Sequence, residues 1–519
     1  MDPNLPVLAS RRSKPAQAVR AGSSANRSLE FVAMGVGGAA GLGLAAARAP
    51  LAAVGAVAFL GMTLMPWGIL FALVVFAAQL SRLRVSVAGF GIQAGHVFLL
   101  AAALRLFVLN RRRIHPRWQL PDFALAGFAG MQFVSSYLHS QNKTQSYATA
   151  GLLLLGVGAY FVTTRSITTR RRLILAAKAV LWASIVGAGV AVLSLLAHLL
   201  IGSPVGIQQG AGKLTVQGLA YEHDILSSTS GGAAIAFLVL LRERNPVVSR
   251  RTAIFGFWLC LLAMLLGQAR GAWIAFGIVF VGLHFLRRPR IRRPGGMERL
   301  GVSLVLLALL GLGGAWIASQ AIGGQSSNPL VISIQEKATQ LLDFSSGSGA
   351  ARVSTMSQAL ADLHGSPLLV GLGTNSFGQR HKGVVQQGGT VKASYIGNLY
   401  VRVLYDTGVI GALCLAAFLL AVLWPGRSLR RSGAELAPVA TAFVMAYAVM
   451  AIAFSATDAS FLLWPWILVG VAQSARRLLA AQERDARISR PGINGLGAWH
   501  GSNGAAAPNG KSAASILPI

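Results

Sequence analysis

Long apolar runs recur along this sequence, separated by short and strongly basic segments. A helix needs ~20 consecutive apolar residues to cross the hydrocarbon core of a bilayer. The runs that approach this length lie near residues 31–47, 51–80, 86–110, 120–139, 148–164, 173–201, 227–241, 252–268, 271–286, 300–321, 397–424, 437–455 and 461–479. We therefore predict an all-α polytopic membrane protein with about 12 to 14 transmembrane helices.

The N-terminal part of this pattern has two interpretations. The run 51–80 is long for one helix and contains Pro66, so it is either one span or two short helices. If it is split, the basic turn from Ser81 to Arg84 fits the charge pattern poorly. The count of spans before residue 110 therefore stays open.

The composition agrees with a membrane protein, since 54% of the 519 residues are hydrophobic and only 12% are charged. Cys260 and Cys414 both lie in apolar runs, which argues against a disulfide framework or a metal cluster. Residues 1–30 and 480–519 lack helical periodicity, and we expect both to be disordered cytoplasmic tails flanking a transmembrane domain at 31–479. The N-terminal segment has no apolar region typical of a cleavable signal peptide.

A net charge of +31 would indicate nucleic-acid binding in a soluble chain. Here most Lys and Arg residues lie in blocks between spans. These blocks are Arg111 to Arg113, Arg170 to Arg172, Arg242 to Arg251, Arg287 to Arg293, Arg427 to Arg431, and Arg476 with Arg477. The positive-inside rule puts them in the cytoplasm, and nucleic acid is not expected as a partner.

With this orientation, five segments lie outside the membrane. They are Ser140 to Tyr147, Gly202 to Leu226, Gln268 to Gly271, a long loop at 322–396, and Thr457 to Ala459. Loops held by a rigid scaffold commonly carry chemistry. We expect the long loop to hold the functional site.

Two helices are predicted inside the long loop. Val353, Met356, Leu360 and Leu363 share one apolar helical face, Arg352 lies in the first turn, and Gly365-Ser366-Pro367 ends the helix. A second helix is predicted from Pro329 to Leu342. The turn Gly371-Leu372-Gly373-Thr374-Asn375 has backbone N–H groups that could bind an anion.

Arg270 is the most informative single residue, because it lies between two apolar runs at the expected outer surface. A guanidinium group there is costly unless it is paired or faces water, so its presence favours a functional role. The alternative is an arginine that extends from a helix end towards water. Arg352 alone has the same ambiguity, since an arginine on a polar loop is usually solvated.

The segment before the run at 227–241 contains Lys213, Tyr221, Glu222, His223 and Asp224. Consecutive ionisable residues can supply a general base and its partners. An ordinary polar loop at the membrane surface is the alternative. His364 and His381 are loop histidines, and an inert role is the simpler interpretation for each.

Several short motifs resemble those of the O-antigen ligase and polymerase family. Asn398-x9-Gly408-x2-Gly411 resembles a family pattern in which a His-Asn pair opens the helix after a long periplasmic loop. The segment from Ser366 to Phe377 is similar to the family's Pro-x-x-Gly-x-Gly-x-x-x-Phe turn, with one extra residue. Gln268 to Trp273 is similar to its Ser-Arg-Gly-x-Trp helix end. The likeness covers roughly residues 200 to 415.

This resemblance implies a metal-independent glycosyltransferase without a cofactor, in the cytoplasmic membrane with its active face outside. It would take a glycan from undecaprenyl diphosphate and pass it to a lipid, protein or glycan acceptor. Arg270 and Arg352 would bind the diphosphate, because two guanidinium groups can stabilise its charge without a metal ion. Lys213, Gly371, Gly373, Asn375, His381, Gly397 and Asn398 are the expected substrate-binding residues.

The chain departs from the family pattern at one position, where Gly397 replaces the family histidine. Glycine cannot accept a proton, so Glu222, His223 or His381 would have to supply the base, with Glu222 and His223 as the expected catalytic pair. Two other functions remain open. One is a transporter or flippase of an anionic or polyprenyl-linked lipid, although no internal repeat is apparent. The other is a non-catalytic relative that binds the lipid carrier.

Overall fold

The computed structural model describes residues 50–82, 84–87, 90–109, 118–210, 213–243, 245–286, 347–381, 384–387, 390–393, 395–424 and 435–488. The predicted spans at 31–47 and 300–321, the predicted helix at 329–342 and the N-terminal tail lie outside these residues. The described helices are α1 (Pro50–Leu64), α2 (Trp67–Gln79), α3 (Ala94–Leu109), α4 (Leu120–His139), α5 (Lys143–Ser166), α6 (Arg170–Ile201), α7 (His223–Arg242), α8 (Arg250–Leu266), α9 (Arg270–Leu286), α10 (Gly347–Ala361), α11 (Ser366–Val370), α12 (Phe377–Arg380), α13 (Leu399–Leu423), α14 (Ala437–Ala453) and α15 (Leu463–Ile488).

Three antiparallel hairpins complete the described elements. They are β1 (Arg84–Val87) with β2 (Phe90–Gln93), β3 (Ile207–Gly210) with β4 (Lys213–Val216), and β5 (Val384–Gln387) with β6 (Thr390–Ala393). Each hairpin lies in a connection between helices. The described fold is therefore predominantly helical, as the apolar pattern predicts.

Within the described residues, four helices are long and apolar enough to cross a membrane, namely α5, α6, α7 and α13. A fifth span results if the bent pair of α1 and α2 is counted as one. Helices α3, α9 and α14 are apolar but shorter. The larger predicted number includes these shorter helices and runs outside the described residues.

The run 51–80 is two helices, which resolves one open question from the sequence. Helix α2 starts after Pro66 and is bent by 118° relative to α1. Proline has no N–H to donate and disrupts a continuous helix, which accounts for the break. The Ser81 hydroxyl accepts a hydrogen bond from the Tyr221 N–H at 2.9 Å, so the 81–82 turn lies beside the loop that follows β4.

Several boundaries differ from the prediction. The run 86–110 begins with the β1–β2 hairpin, and its helix starts only at Ala94. Helix α15 continues to Ile488, beyond residue 480 where the C-terminal tail was predicted to begin. Polar side chains at the surface of a helix weaken the apolar signal without ending the helix, which explains why hydropathy alone ended this element early.

Local capping fixes the ends of the long helices. The Asn142 side chain accepts a hydrogen bond from the Gln145 N–H at the start of α5, and Thr169 caps α6 through the Arg172 N–H. Helix α6 ends at Gly202 in the left-handed conformation, where glycine has no steric penalty. These caps satisfy backbone groups that a helix terminus otherwise leaves unpaired.

Helix α7 lies at the centre of the bundle. Its residues from Ile225 to Leu240 are all buried, and it packs against α8, α9 and α14. The absence of a side chain at Gly232 permits close approach, since an added Cβ would lie 2.8 Å from the Ala446 carbonyl oxygen. Small residues at helix interfaces allow such contacts in membrane proteins. The buried part of α7 therefore packs closely against its neighbours.

The predicted helix around Arg352 is present as α10, with different details. It runs from Gly347 to Ala361, so Arg352 lies in its second turn and not its first. Val353 and Leu360 are about half exposed, whereas Met356 and Ala359 pack inward. Gly365 and Pro367 do not end this helix but begin α11, in which Gly365 is the N-cap residue.

Candidate active site

The segments predicted to lie outside the membrane gather at one end of the helical bundle, which we call the loop end. The Asn142 N–H donates to the Gln379 side-chain oxygen at 3.1 Å, which joins the α4–α5 connection to the long loop. The Gln268 side chain donates to the Leu214 carbonyl oxygen at 3.0 Å. Arg402 in the first turn of α13 forms an ion pair with Asp458. Contacts among distant segments thus create one connected surface.

Arg352 is joined to the first turn of α7 by an ion pair. Its Nη2 lies 2.9 Å from Asp224 Oδ2, and Asp224 Oδ1 lies 3.2 Å from His223 Nε2. The exposed fractions of the side chains are 33% for Arg352, 16% for Asp224 and 24% for His223. The ion pair is therefore reachable from solvent. It brings the predicted catalytic residues Arg352 and His223 next to the same carboxylate.

The second ring nitrogen of His223 also has a partner. Nδ1 lies 3.3 Å from the Gln208 side-chain oxygen on β3. Both nitrogens of the ring therefore lie beside side-chain oxygen atoms. The ring of His223 therefore contacts both Asp224 and β3.

Gly397 lies against the side chain of Arg352. An added Cβ at Gly397 would be 3.3 Å from both Cγ and Nε of Arg352. The stem of Arg352 thus borders the space in which a side chain at position 397 would begin. The loss of the family histidine and the placement of this arginine are sterically connected.

Arg270 begins α9 and is half-buried. The preceding residues pack directly on the first turn of α7. A Cβ at Gly267 would lie 2.8 Å from the His223 carbonyl oxygen, and the Ala269 N–H donates to Ser227 Oγ at 3.3 Å. The same turn of α7 therefore contacts the segment that carries Arg270 and the side chain of Arg352.

Gln268 has a backbone conformation that is unusual for a residue with a side chain. Its φ is 55°, and the residue is buried. Such conformations cost free energy and often occur where the surrounding structure fixes a functional geometry. Here the side-chain bond to Leu214 fixes the connection just before Arg270.

Glu222 is the N-cap residue of α7 and is half-buried. Its charge acts on the hydroxyl of Tyr395. Partial burial of this hydroxyl, together with the carboxylates of Glu222 and Asp224, raises the pKa of Tyr395 to about 12. Glu222 and Tyr395 therefore belong to the same polar environment as the Arg352–Asp224 ion pair.

The turn at 371–375 packs against α13 and α4, and the N–H groups that we expected to bind an anion have partners within the protein. The Gly371, Leu372 and Gly373 N–H groups donate to the carbonyl oxygens of Pro367, Tyr405 and Asp406. The Thr374 N–H donates to the Ser136 hydroxyl at 3.0 Å. These donors are already used by the protein.

Gly371 in this turn and Gly408 in α13 allow the two backbone segments to pack closely against each other. A Cβ at Gly371 would lie 2.4 Å from the Asp406 carbonyl oxygen, and a Cβ at Gly408 would lie 2.3 Å from the Leu369 backbone. Both glycines have positive φ, as does Asn375. The two glycine motifs of the sequence therefore form one contact between α11 and a break in α13, and Gly371, Gly373 and Asn375 are structural in this fold.

Asn398 also has a local role. Its side-chain oxygen accepts hydrogen bonds from the N–H groups of Tyr400 and Val401, so it caps α13. The Leu399 N–H donates to the Phe454 carbonyl oxygen at 2.9 Å. Asn398 thus fixes the start of α13 directly after Gly397.

His381 belongs to a second cluster of the loop. Its Nε2 lies 2.6 Å from Asp362 Oδ2, and the Tyr405 hydroxyl donates to the same oxygen at 2.8 Å. Burial raises the pKa of Asp362, but hydrogen bonds from His381 and Tyr405 outweigh it and hold the pKa below its ordinary value. Asp362 follows α10 about 15 Å along the helix from Arg352. The contacts of His381 therefore tie the loop to α13 and do not join it to the Arg352–Asp224 ion pair.

Lys213 begins β4 and pairs with Gly210 across the hairpin. The sequence-based analysis missed Gln208, Asp362 and Tyr395. Asp362 could have been found from the sequence, because the whole chain has only 15 Asp and Glu residues. Each carboxylate in a predicted outer loop is therefore a candidate partner for an arginine there.

Comparison with protein families gives a match to the family model described as O-antigen ligase over residues 255–416. This segment includes Arg270, Arg352, Gly397 and Asn398, whereas Glu222 and His223 precede it. No curated protein matches the chain. The match, together with the long apolar helices, identifies an integral membrane protein with a glycosyltransferase-like role in surface polysaccharide synthesis. Residues 255–416 are therefore similar to the O-antigen ligase family.

Proposed function

We propose that this protein transfers a glycan from a polyprenyl diphosphate, such as undecaprenyl diphosphate, to a lipid, protein or glycan acceptor at the outer face of the cytoplasmic membrane. The observation that supports the proposal is the turn of α7 from His223 to Ser227. It contacts the Arg352 side chain through Asp224 and the segment preceding Arg270 through Ser227. Arg352 and the segment that leads into Arg270 thus pack on the same turn.

In this proposal, Arg270 and Arg352 bind the diphosphate leaving group. Guanidinium groups form bidentate hydrogen bonds with phosphate oxygens and keep their charge at all physiological pH values. Cleavage of the bond between sugar and diphosphate increases the negative charge on the leaving oxygen. Positioned donors stabilise this charge in the transition state without a metal ion or another cofactor.

The acceptor hydroxyl must lose a proton during transfer, and we assign this proton to Glu222. Gly397 cannot take it, and His223 has oxygen acceptors at both ring nitrogens. Glu222 lies next to this pair at the half-buried start of α7. A carboxylate in this position can act as a general base, while His223 orients Asp224 and through it Arg352.

The test uses purified full-length protein in lipid vesicles with a polyprenyl-diphosphate-linked glycan, and the products are sized on a gel. Arg270→Ala and Arg352→Ala should each reduce transfer by ~10²- to 10³-fold, the usual effect of removing one positioned donor. Glu222→Gln should lower turnover and remove the acidic limb of its pH profile. Lys143→Ala, which removes an exposed positive charge at the same end of the bundle, should retain the wild-type rate.

Full activity of both arginine variants would show that the diphosphate assignment is wrong. An unchanged pH profile in Glu222→Gln would exclude that residue as the base. Movement of intact donor across the vesicle membrane, without product, would instead support a flippase.

Gly397 favours one further candidate function, a non-catalytic relative that binds the lipid carrier within a polysaccharide assembly. Such a protein would bind the donor in an Arg352-dependent manner but release no polyprenyl diphosphate. Measuring donor binding and released carrier in the same vesicles separates the two possibilities.

A further inference from the structure

Tyr395 is an exposed aromatic residue in a charged environment. It follows β6 and precedes Ile396, which is buried, and Gly397, which lies against Arg352. The Tyr395 side chain is 55% exposed. Most exposed aromatic side chains of a membrane protein face lipid or the membrane surface. Tyr395 instead lies among the charges of Glu222, Asp224 and Arg352.

This combination suits a sugar ring. A pyranose has a flat face of C–H groups, which packs on an aromatic ring, and a rim of hydroxyl groups, which bind polar side chains. Tyrosine provides an apolar ring surface together with a hydroxyl group. The neighbouring carboxylates are acceptors for sugar hydroxyls, and a guanidinium group is a donor.

The position relative to Arg352 also fits. In a sugar diphosphate, the anomeric carbon is bonded directly to a phosphate oxygen, so the first sugar must lie beside the group that holds the phosphate. Gly397 is two residues from Tyr395, and a Cβ added at Gly397 would lie 3.3 Å from the Arg352 side chain. The backbone that carries Tyr395 therefore passes directly beside the proposed phosphate-binding arginine.

We propose that Tyr395 is a positioning residue that stacks on the first sugar of the polyprenyl-diphosphate donor and so distinguishes a glycan-bearing carrier from a bare one. This inference rests on the proposed function, because it takes Arg352 as the diphosphate ligand. It adds a site for the sugar ring, supplied by a residue outside the segments that resemble family motifs.

The hydroxyl of Tyr395 has a defined state in this role. A tyrosine hydroxyl is protonated at neutral pH, and the raised pKa of Tyr395, about 12, keeps it protonated further into the alkaline range, so it can donate a hydrogen bond. A donor at this position can bind a ring or hydroxyl oxygen of the sugar. It does not compete with Glu222 for the proton of the acceptor.

The experiment compares two probes on the full-length protein in lipid nanodiscs. One is undecaprenyl diphosphate without sugar, and the other is undecaprenyl diphosphate carrying one hexose. Tyr395→Ala should weaken binding of the hexose-bearing probe by roughly fivefold to tenfold and leave binding of the bare probe unchanged. Tyr395→Trp should keep the preference for the hexose-bearing probe, since it restores an aromatic ring. Tyr395→Phe should keep most of it.

Tyr137→Ala is the matched control, because Tyr137 is an exposed tyrosine of α4 at the same end of the bundle. It should leave the dissociation constants of both probes unchanged. Equal weakening of both probes by Tyr395→Ala would assign the residue a general structural role and overturn the proposal. Unchanged binding of both probes would overturn it as well.

The same experiment distinguishes failure of the sugar site at Tyr395 from failure of the diphosphate assignment at Arg352. Arg352→Ala should weaken both probes together, because both contain the diphosphate. If Arg352→Ala has no effect on the bare probe, the diphosphate assignment fails whatever Tyr395 does. If Arg352→Ala weakens both probes but Tyr395→Ala does not discriminate between them, only the sugar site fails.

Discussion

Each end of the helical bundle contains an ion pair between aspartate and arginine, and the two pairs differ in burial. At the end opposite the site, Asp122 is fully buried and contacts Arg165, Arg477 and the Tyr160 hydroxyl. At the loop end, Asp224 pairs with Arg352, and both side chains are partly exposed. Helix α4 connects the two ends, and its stretch from Asp122 to Ser136 is ~20 Å long.

Burial explains the difference in role. The side chains of Arg165 and Arg477 are only 8% and 13% exposed, and the Asp122 cluster ties the ends of α4 and α5 to the middle of α15. Removing one partner from such a cluster leaves a buried charge uncompensated. The Arg352–Asp224 pair is reachable from solvent, and water or a ligand can replace either partner. The first pair therefore stabilises the fold, whereas the second lies where solvent or a ligand can reach Arg352.

The largest expected effect is at the buried pair. Asp122→Ala should destabilise the protein by ~3–5 kcal/mol, because two buried guanidinium groups lose their carboxylate. Asp224→Asn should change the melting temperature little while lowering glycan transfer, since it alters the orientation of Arg352. Thermal unfolding of the detergent-solubilised variants, followed by gel filtration, measures the first effect, and the vesicle assay measures the second. Equal melting temperatures for the two variants would remove the distinction between the ends.

A smaller effect is expected from restoring the family histidine. Gly397→His places a side chain against Arg352, whose Cγ and Nε lie 3.3 Å from the new Cβ. The arginine side chain must shift to make room. If this shift raises the activation free energy of transfer by about 1.4 kcal/mol, the rate falls about tenfold. Gly397→Ala, which adds only the Cβ, is the matched control and should have a milder effect in the same assay. If Gly397→His instead raised the rate of glycan transfer, Glu222 would not be a full substitute for the histidine as the base.

The smallest effect concerns the hydrogen-bonded cluster of Asp362, His381 and Tyr405. Because the folded-state pKa of Asp362 lies below its ordinary value of 3.8, its ionised form stabilises the folded loop above that pH. This contribution is lost as the pH falls below about 4. Hydrogen exchange of residues 362–381 should therefore show reduced protection at low pH in the wild type.

Asp362→Asn provides the control for this measurement. It should show reduced protection already at pH 6 and little further loss on acidification. Identical pH dependence in the two proteins would mean that Asp362 does not hold the loop.

The helices could be predicted from the sequence more accurately than the chemistry. Helix α4 starts and ends at the predicted residues 120 and 139, because its apolar run is bounded by polar residues on both sides. The hairpin before α3 was missed because a short strand pair and a helix start can have the same hydropathy. The partners of the Gly371 turn could not be predicted, since a list of backbone donors does not show which acceptors will lie beside them.

The sequence by itself indicated the predominantly helical architecture with long apolar helices, the basic segments between them, and the likeness to O-antigen ligases. These depend on local composition and on short motifs, which are readable along the chain. Only the tertiary structure decided that Arg352 pairs with Asp224, that Gly397 lies beside this arginine, and that the two glycine motifs contact each other. Such contacts join residues far apart in sequence, and their geometry depends on how the rigid helices pack.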